Sequence, residues 1–437
     1  MHIKARPSNQ NREARLFVSE GKMANSMIKR SIVRDCRNAH SREQRVCHLH
    51  KYIFVLLIGF MVLHPAAMAS KCDFTGKDAE LVTTVDLPRY RIIDLFAGIG
   101  GIRLGFESTG RCCCVFTSEW DEQCRKTYLA NWPGAEIKGD IREIEPKSIP
   151  DFDILCAGFP CQPFSTIGKR EGFEHKTQGT LFFYIAKIIK EKKPKAFLLE
   201  NVPGIVSHNG GTTMKTICEV LRQDLGYVMD YRILDAADFG VPQFRKRIYF
   251  VGFRQDLGID VCGTDFDRNS GVSDVNNSAL QYVYPQGSFH DHHVGFGQYM
   301  ETNAKGPSVS IHLQTNYLFK VNDGRPQIVD EHTEFPVKTL CASYHKIQRL
   351  TGTFVRGGET GIRLFTESEC KALQGFPKDF KVPVSRTSMY HQFGNAVAVP
   401  VVAAIAKGMV ESLDRSQSII VTCGQCVNQE RQNNTKK

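Results

Sequence analysis

A cysteine flanked by prolines stands near the middle of this chain, in Gly158-Phe159-Pro160-Cys161-Gln162-Pro163-Phe164-Ser165. It directly follows the apolar run Asp153-Ile154-Leu155-Cys156-Ala157, which reads as a buried strand. A thiolate is the strongest ordinary side-chain nucleophile near neutral pH. A lone cysteine after a strand is commonly a small buried hydrophobe, but prolines on both sides of Cys161-Gln162 favour display over packing. Residues 196–199, Ala-Phe-Leu-Leu, form a second apolar run that ends in Glu200-Asn201-Val202. Glu200 is either a candidate acid or a cap for the next turn. Parallel α/β sheets gather their chemistry just beyond the carboxyl ends of their strands, so Cys161 and Glu200 are offered at one edge.

A second pattern points to a cofactor. Asp94-Leu95-Phe96-Ala97-Gly98-Ile99-Gly100-Gly101 reads as strand, glycine turn and helix start. Glycines there let a ligand approach the backbone at a helix N-terminus. Glu119 ends the next apolar run, 25 residues after Asp94, where an acid can accept from both hydroxyls of a ribose. Trp120 beside it could stack on an adenine. Nicotinamide, flavin and S-adenosylmethionine domains all use this geometry, and a bare strand-to-helix turn shares it too.

The elements that must position these residues alternate along the chain. Strand signals fall at residues 91–96, 113–117, 153–157, 196–199 and 248–251. Helical signals fall at 102–107, 121–131, 181–191 and 214–225, and Gly139-Asp140-Ile141 closes a third β-α unit. This alternation implies a doubly wound, mostly parallel α/β sheet of Rossmann-like kind. After Gly252 the character changes. Residues 254–335 are rich in Asp, Asn, Gly, His and Ser and keep no period, and an insert this long within an enzyme is more often functional than decorative. Helical signals return at 366–374 and from Asn395 to about Leu413.

The 437 residues suffice for two or three domains. The net charge of +10 is unevenly placed: residues 1–52 carry 12 Lys and Arg against 4 Asp and Glu, which leaves the remainder near +2. Overall basicity is therefore no argument for nucleic-acid binding, and any such contact must come from local patches. The 15 cysteines follow no framework spacing, which suits a reducing, cytoplasmic setting. Cys423-Gly424-Gln425-Cys426 has no second pair, and His290, His292 and His293 lack partners at metal spacing, so no metal is expected. Residues 53–63 are apolar and precede Ala67-Met68-Ala69, which resembles a signal-peptidase site. About fifty residues lie upstream, far more than an ordinary leader carries, and no membrane partner is expected.

Together these motifs resemble the C5-cytosine DNA methyltransferases, especially the bacterial modification enzymes, in family order from Arg91 to Lys407. Residues 94–101 resemble the first cofactor motif, and Glu119-Trp120 and Asp140-Ile141 the next two. Residues 158–165 resemble the nucleophile loop, and Gln178-Gly179-Thr180-Leu181-Phe182 the cofactor-side helix start. Glu200-Asn201-Val202 is similar to the acid motif, and Gln243-Phe244-Arg245-Lys246-Arg247 to the Gln-x-Arg-x-Arg motif. Residues 369–377 and Gln392-Phe393-Gly394-Asn395-Ala396-Val397 resemble the last two. The resemblance implies catalytic roles for Cys161, Glu200, Arg245 and Arg247. It implies S-adenosylmethionine contacts at Asp94, Phe96, Ala97, Gly98, Ile99, Gly100, Gly101, Glu119, Trp120, Asp140, Ile141, Pro160, Leu181, Asn395 and Val397. Its implied divisions are an extension over 1–87, a catalytic and cofactor domain over 88–252, a smaller irregular target-recognition domain over 253–384, a returning segment over 385–413 and a polar tail over 414–437.

The chemistry implied is methyl transfer to C5 of a flipped-out cytosine. Cys161 adds to C6, protonated Glu200 donates to N3, and Arg245 stabilises charge at O2. Residues 165–177, with Lys169, Arg170 and Lys176, read as a mobile lid. The implied partner is double-stranded DNA, with a monomer sufficing and a cognate restriction endonuclease encoded nearby. A transfer RNA methyltransferase of the same superfamily and a catalytically inactive DNA-binding module stay open as alternatives. The excess charge and the apolar run both lie upstream of the first strand, and Met68 is a plausible start. A chain lacking residues 1–67 is expected to be soluble and to retain methyl transfer. An unfolded or inactive product, judged by circular dichroism and label incorporation, would make the segment structural.

Overall fold

The computed structural model describes residues 89–160, 181–259, 284, 293–302, 304 and 306–434, with side chains as far as Ser416. Seven strands form one sheet: Tyr90–Leu95 (β1), Cys112–Ser118 (β2), Ile137–Lys138 (β3), Ile154–Gly158 (β4), Ala196–Asn201 (β5), Tyr227–Asp235 (β6) and Lys246–Arg254 (β7). Their order is β3-β2-β1-β4-β5-β7-β6, and only β7 runs against its neighbours. β5 is buried at every residue and β1 at all but one, as continuous apolar strands covered on both faces must be. β6 has no counterpart in the expected elements. It is an edge strand whose alternation is broken by Asp230 and Arg232, so its pattern is weak.

Successive side chains on a strand point to opposite faces, and two cores result. Ile92, Cys156, Leu198 and Val251 pack with Ile102 and Phe106 of helix α1 (Gly101–Glu107) on one face. Ile93, Leu155, Leu199 and Phe250 pack on the other with α3 (Leu181–Lys192) and α4 (Thr212–Glu219). Between α1 and α3 in the chain lies α2 (Glu122–Asn131), whose N-cap Asp121 accepts from the Gln123 and Cys124 amides at 2.7 and 3.0 Å.

Among the described residues three further helices of eight residues or more follow: α5 (Glu367–Gln374), α6 (Arg386–Asn395) and α7 (Val399–Asn434). The chain returns to the first core through α7, whose Val402, Ile405 and Met409 are fully buried. A Cβ on Gly105 would lie 2.6 Å from Val402, so glycine is what lets α1 and α7 touch. By length and composition residues 386–416 could cross a bilayer, yet most of that stretch is packed inside the protein. The helix expected from Asn395 begins only at Val399, and the helix before it was not expected. α6 ends at Asn395, Ala396 is extended, and α7 begins afresh with Pro400 in its first turn.

The stretch read as irregular contains regular structure. Gln327–Val329 (β8), Thr353–Arg356 (β9) and Ile362–Arg363 (β10) form a small sheet of order β10-β9-β8. Strands of two to four residues are too short to show a period. Their core joins Phe354, Phe365, Leu373 and Phe393 with Ile99 and Cys124 from the first half of the chain. β7 also continues past Gly252 to Arg254. A fully buried ion pair ties β10 to α5. Arg363 donates to both Glu369 oxygens at 2.8 Å, and the carboxylate also accepts from the Glu301 and Thr366 amides. Removing one partner of such a pair strands the other charge, at a cost of about 3–5 kcal/mol. Glu369→Ala is therefore expected to lower the urea midpoint markedly. A midpoint unchanged from the parent would show that the pair contributes nothing.

Candidate active site

The carboxyl ends of β1, β2, β4 and β5 open on a cavity of about 570 Å³. Its floor is the turn after β1. Phe96 (φ 55°), Gly98 (φ 55°) and Gly100 (φ 85°) are all left-handed there, and at Phe96 this is a strained conformation. A Cβ on Gly98 would meet nothing within 4 Å, so backbone is offered to the cavity, whereas one on Gly100 would strike the Trp132 ring at 2.5 Å. The Gly98 amide donates to Glu119 Oε2 at 2.7 Å and the Asp121 amide to Oε1 at 2.8 Å. Each Glu119 oxygen thus keeps a lone pair for a ligand hydroxyl. Burial pushes this carboxyl above its usual range, and the two amides work against that.

The other expected cofactor residues separate into three groups. Phe96, Ala97, Ile99, Gly101, Pro160 and Leu181 line the cavity, and so do Asn395 and Val397 of the returning segment. Trp120 stands 72% exposed at the lip, free to cover a flat ring. Asp140 and Ile141 also line it, but the Asp140 carboxylate already holds Arg142 through two nitrogens, which keeps its pKa below the usual range. Asp94 and Gly100 are not on the wall. Asp94 is wholly buried beneath the turn, with neither oxygen in a well-formed hydrogen bond. Burial pushes its carboxyl up to about 7 despite the Arg103 guanidinium nearby.

At the far end of the cavity Glu200 pairs in register with Gly158, so the ends of β4 and β5 coincide. Asn201 Nδ2 donates to the Phe159 carbonyl at 2.8 Å and locks the two strand ends together. Arg247 Nε lies 3.2 Å from Glu200 Oε1. Burial raises the Glu200 pKa, opposed first by Arg247 and then by Arg245. Cys161 and the stretch 165–177 lie outside the described residues.

Both arginines were expected at the site, with Arg245 at O2, and the structure separates them. Arg247 lines the cavity and Arg245 does not. Arg245 is 2% exposed and donates to the carbonyls of Leu340, Gly394 and Ala396 at 3.1, 2.9 and 2.7 Å. Burial, with Arg247 adding to it, lowers its pKa to about 9. Alternation along an extended strand puts residues two apart on the same face, so spacing could not separate them. The difference arises where the chain enters β7, whose first residue is Lys246. Several wall residues had not been expected, among them Arg142, Asn201, His391 and Gln392. Arg142, Asn201 and Gln392 lie in or beside quoted motifs, while nothing in the sequence marks His391.

A glycine turn answered by an acid across two parallel strands, with a buried carboxyl–guanidinium pair at the next strand ends, defines a Rossmann-like enzyme that works beside a bound nucleoside. The profile of the C-5 cytosine-specific DNA methylase family matches residues 90–411. Type II methyltransferase M.BsuFI of Bacillus subtilis is 53% identical over 321 residues, covering 74% of this chain and 72% of that one. Type II methyltransferase M.MspI of Moraxella sp is 50% identical over 318 residues, covering 73% and 70%. The crystal structure of S. pombe Dnmt2 methyltransferase matches with a TM-score of 0.58 at 20% identity, over 74% of this chain and 99% of that one, a likeness of fold. The chain belongs to the C-5 cytosine-specific DNA methylase family and is a sequence-specific DNA (cytosine-5-)-methyltransferase.

Asp94 gives a test of the buried turn. Its pKa is raised from 3.8 to about 7, so the stability it contributes is complete below its unfolded value and is lost as pH rises through about 7. Asp94→Asn removes that loss. Its thermal midpoint relative to the parent is expected to be higher at pH 8 than at pH 5, and parallel pH profiles for the two proteins would refute the assignment.

Proposed function

We propose that the enzyme moves a methyl group from S-adenosylmethionine to C5 of a cytosine flipped out of duplex DNA, with Cys161 as nucleophile, Glu200 as acid and Arg247 as the group that holds O2. The observation that carries this reading is the Glu200–Arg247 pair at 3.2 Å, at the end of the cavity that Pro160, the neighbour of Cys161 in the chain, also lines.

The residues present suit S-adenosylmethionine. The open space over Gly98, the half-satisfied Glu119 carboxylate and the exposed Trp120 ring suit a methionyl chain, a ribose and an adenine in turn. A cavity of about 570 Å³ also falls within the usual range for ligand sites. When bound, this cofactor supplies an electrophilic methyl on a sulfonium. Asn395 and Val397 line the wall where the returning segment packs on Gly101, and Asp140 and Ile141 border the space assigned to the adenine.

Cytosine C5 is a weak nucleophile. The Cys161 thiolate forms a bond to C6, and the C5–C6 π electrons become available at C5 as in an enamine. Glu200 hands its proton to N3 as this happens. A carboxyl whose pKa is raised by burial keeps a proton available, and general acids of this kind contribute about 10²–10⁴-fold. Arg247 lies within reach of both Glu200 and the base, and its fixed charge stabilises O2. Arg245 takes a positioning role instead. Loss of the C5 proton and departure of the thiolate complete the cycle.

Duplex DNA is favoured over transfer RNA because the relatives at 50% identity or more are named Type II methyltransferases, whereas the Dnmt2 likeness is one of fold. An inactive binding module has no use for a buried acid beside a guanidinium. We further take 88–252 as the catalytic domain, 253–384 as the recognition domain and 385–413 as the returning segment. The acting form is a cytoplasmic monomer, with a cognate restriction endonuclease as its genetic partner.

Labelled S-adenosylmethionine supplied with duplex DNA or transfer RNA should mark DNA, as 5-methylcytosine at one short site. Label confined to transfer RNA would overturn the assignment. Cys161→Ser should abolish turnover while DNA and cofactor still bind, since a hydroxyl is far less ionised than a thiol. Glu200→Gln should slow single turnover by about 10²–10⁴-fold with little change in cofactor affinity. Substantial transfer by either variant would remove that residue from the mechanism.

A further inference from the structure

Two separate segments of the small domain are clamped into one surface by Arg349. Its Nε donates to the Leu318 carbonyl at 2.9 Å and its NH2 to the Val321 carbonyl at 2.8 Å. Its guanidinium also holds the Asp323 carboxylate, and its amide reaches the Tyr317 hydroxyl at 3.3 Å. The Arg349 side chain is only 11% exposed, so it serves as a tie between residues 311–327 and residues 344–352.

What the tie presents is unusual for a protein surface. Ile311, Leu313, Tyr317, Phe319, Val321 and Leu350 are all exposed large apolar side chains. Among them stand exposed Lys320, Arg325 and Lys346. The two segments hold four Lys and Arg and a single carboxylate, Asp323, which Arg349 neutralises. Ile347 lies between Lys346 and Gln348 at φ 53° and ψ 56°, a left-handed backbone that is strained for a β-branched residue. Such strain gathers where a loop must hold one shape for binding. Two exposed amides on the surface are pre-oriented. Asn316 Nδ2 lies 3.1 Å from His312 Nδ1, and Gln348 Oε1 accepts from the Thr351 hydroxyl at 2.9 Å. Each keeps further donor and acceptor capacity.

The surface also lies close to the site along the chain. A Cβ on Gly394, a cavity-lining residue, would strike the Ala342 amide nitrogen at 2.2 Å, so Ala342 rests against the cavity wall. Gln348 is six residues further on, at most about 22 Å away at ~3.3–3.6 Å per residue. That is about six base pairs at 3.4 Å each.

Resting on the function proposed above, we infer that this clamped surface reads the target sequence on duplex DNA, with Asn316 and Gln348 as specificity-determining residues and Lys320 and Lys346 on flanking phosphates. Amide side chains hydrogen-bond base edges in the major groove, and each good pair discriminates by about 1–3 kcal/mol, roughly five- to 150-fold. The apolar side chains exclude water around those contacts. The absence of a free carboxylate from the two segments suits a polyanion and not a basic protein.

The full chain carrying Asn316→Ala or Gln348→Ala would methylate a plasmid library of randomised short sites, read by bisulfite sequencing. Each variant is expected to relax one position of the site about tenfold or more, through a loss of transfer at the parent site of similar size. Lys320→Ala and Lys346→Ala are expected to weaken DNA binding evenly across sequences, each lowering the salt slope by about one. An unchanged site preference in both amide variants would overturn the inference while leaving the proposed function intact, because the unaltered chain still yields 5-methylcytosine. If the unaltered chain yields none, the proposed function itself fails. Should an amide variant be inactive on all DNA, its equilibrium binding to the parent site against a scrambled duplex decides. Lost discrimination supports the inference and retained discrimination sinks it.

Discussion

A single buried guanidinium holds the architecture of the cavity together. Arg245 donates hydrogen bonds to the carbonyls of Leu340, Gly394 and Ala396, which belong to two stretches far apart in the chain. Irregular backbone buried away from water needs partners for its carbonyls, and no ladder is available to supply them. Long polar side chains take that part throughout the region. Gln243 accepts from the Leu340 amide and donates to the Leu373 carbonyl, and Gln374 donates to the Phe393 carbonyl, while Gln392 accepts from the Thr127 hydroxyl of α2. The returning segment is thereby fixed against the strand ends, and the wall carrying Asn395 and Val397 follows from it.

The same crowding sets the electrostatics. Burial raises the Glu200 pKa, and Arg247 at 3.2 Å pulls the other way. Arg245 sits close enough to contribute but spends its hydrogen bonds on carbonyls, so the acid has one guanidinium partner within reach. A carboxyl balanced in this way can give up a proton and then tolerate its own charge. Glu119 shows the same logic at the other end of the cavity, where two backbone amides hold a buried carboxylate that would otherwise resist ionisation. Each acid is held by a strand end and its immediate neighbours.

Close backbone approach is the other recurring device. Gly101 and Gly105 let the last helix and the segment before it sit directly on α1, and Gly394 lets that segment touch Ala342. A methyl group at any of these positions would push the returning segment off the cavity. Chain that is remote in sequence therefore forms one wall of a site whose other wall lies next to the first strand.

Much of this was legible in the sequence. The alternation of apolar strands with amphipathic helices sufficed for the doubly wound sheet, because continuous apolar runs at residues 91–96, 153–157 and 196–199 can only be buried on both faces. The glycine turn, Glu119 and Glu200 could be read because local chemistry places them: each ends or follows a strand, and strand ends share an edge in parallel sheets. Other features were not local. β6 pairs at an edge through β7, the strands β8 to β10 are too short to carry a period, and the roles of Arg245 and Arg247 depend on which guanidinium meets three carbonyls from distant residues. Spacing in the sequence records which face a side chain shares with its neighbours. Only the tertiary structure decides what stands opposite that face, because the partners arrive from the far end of the chain.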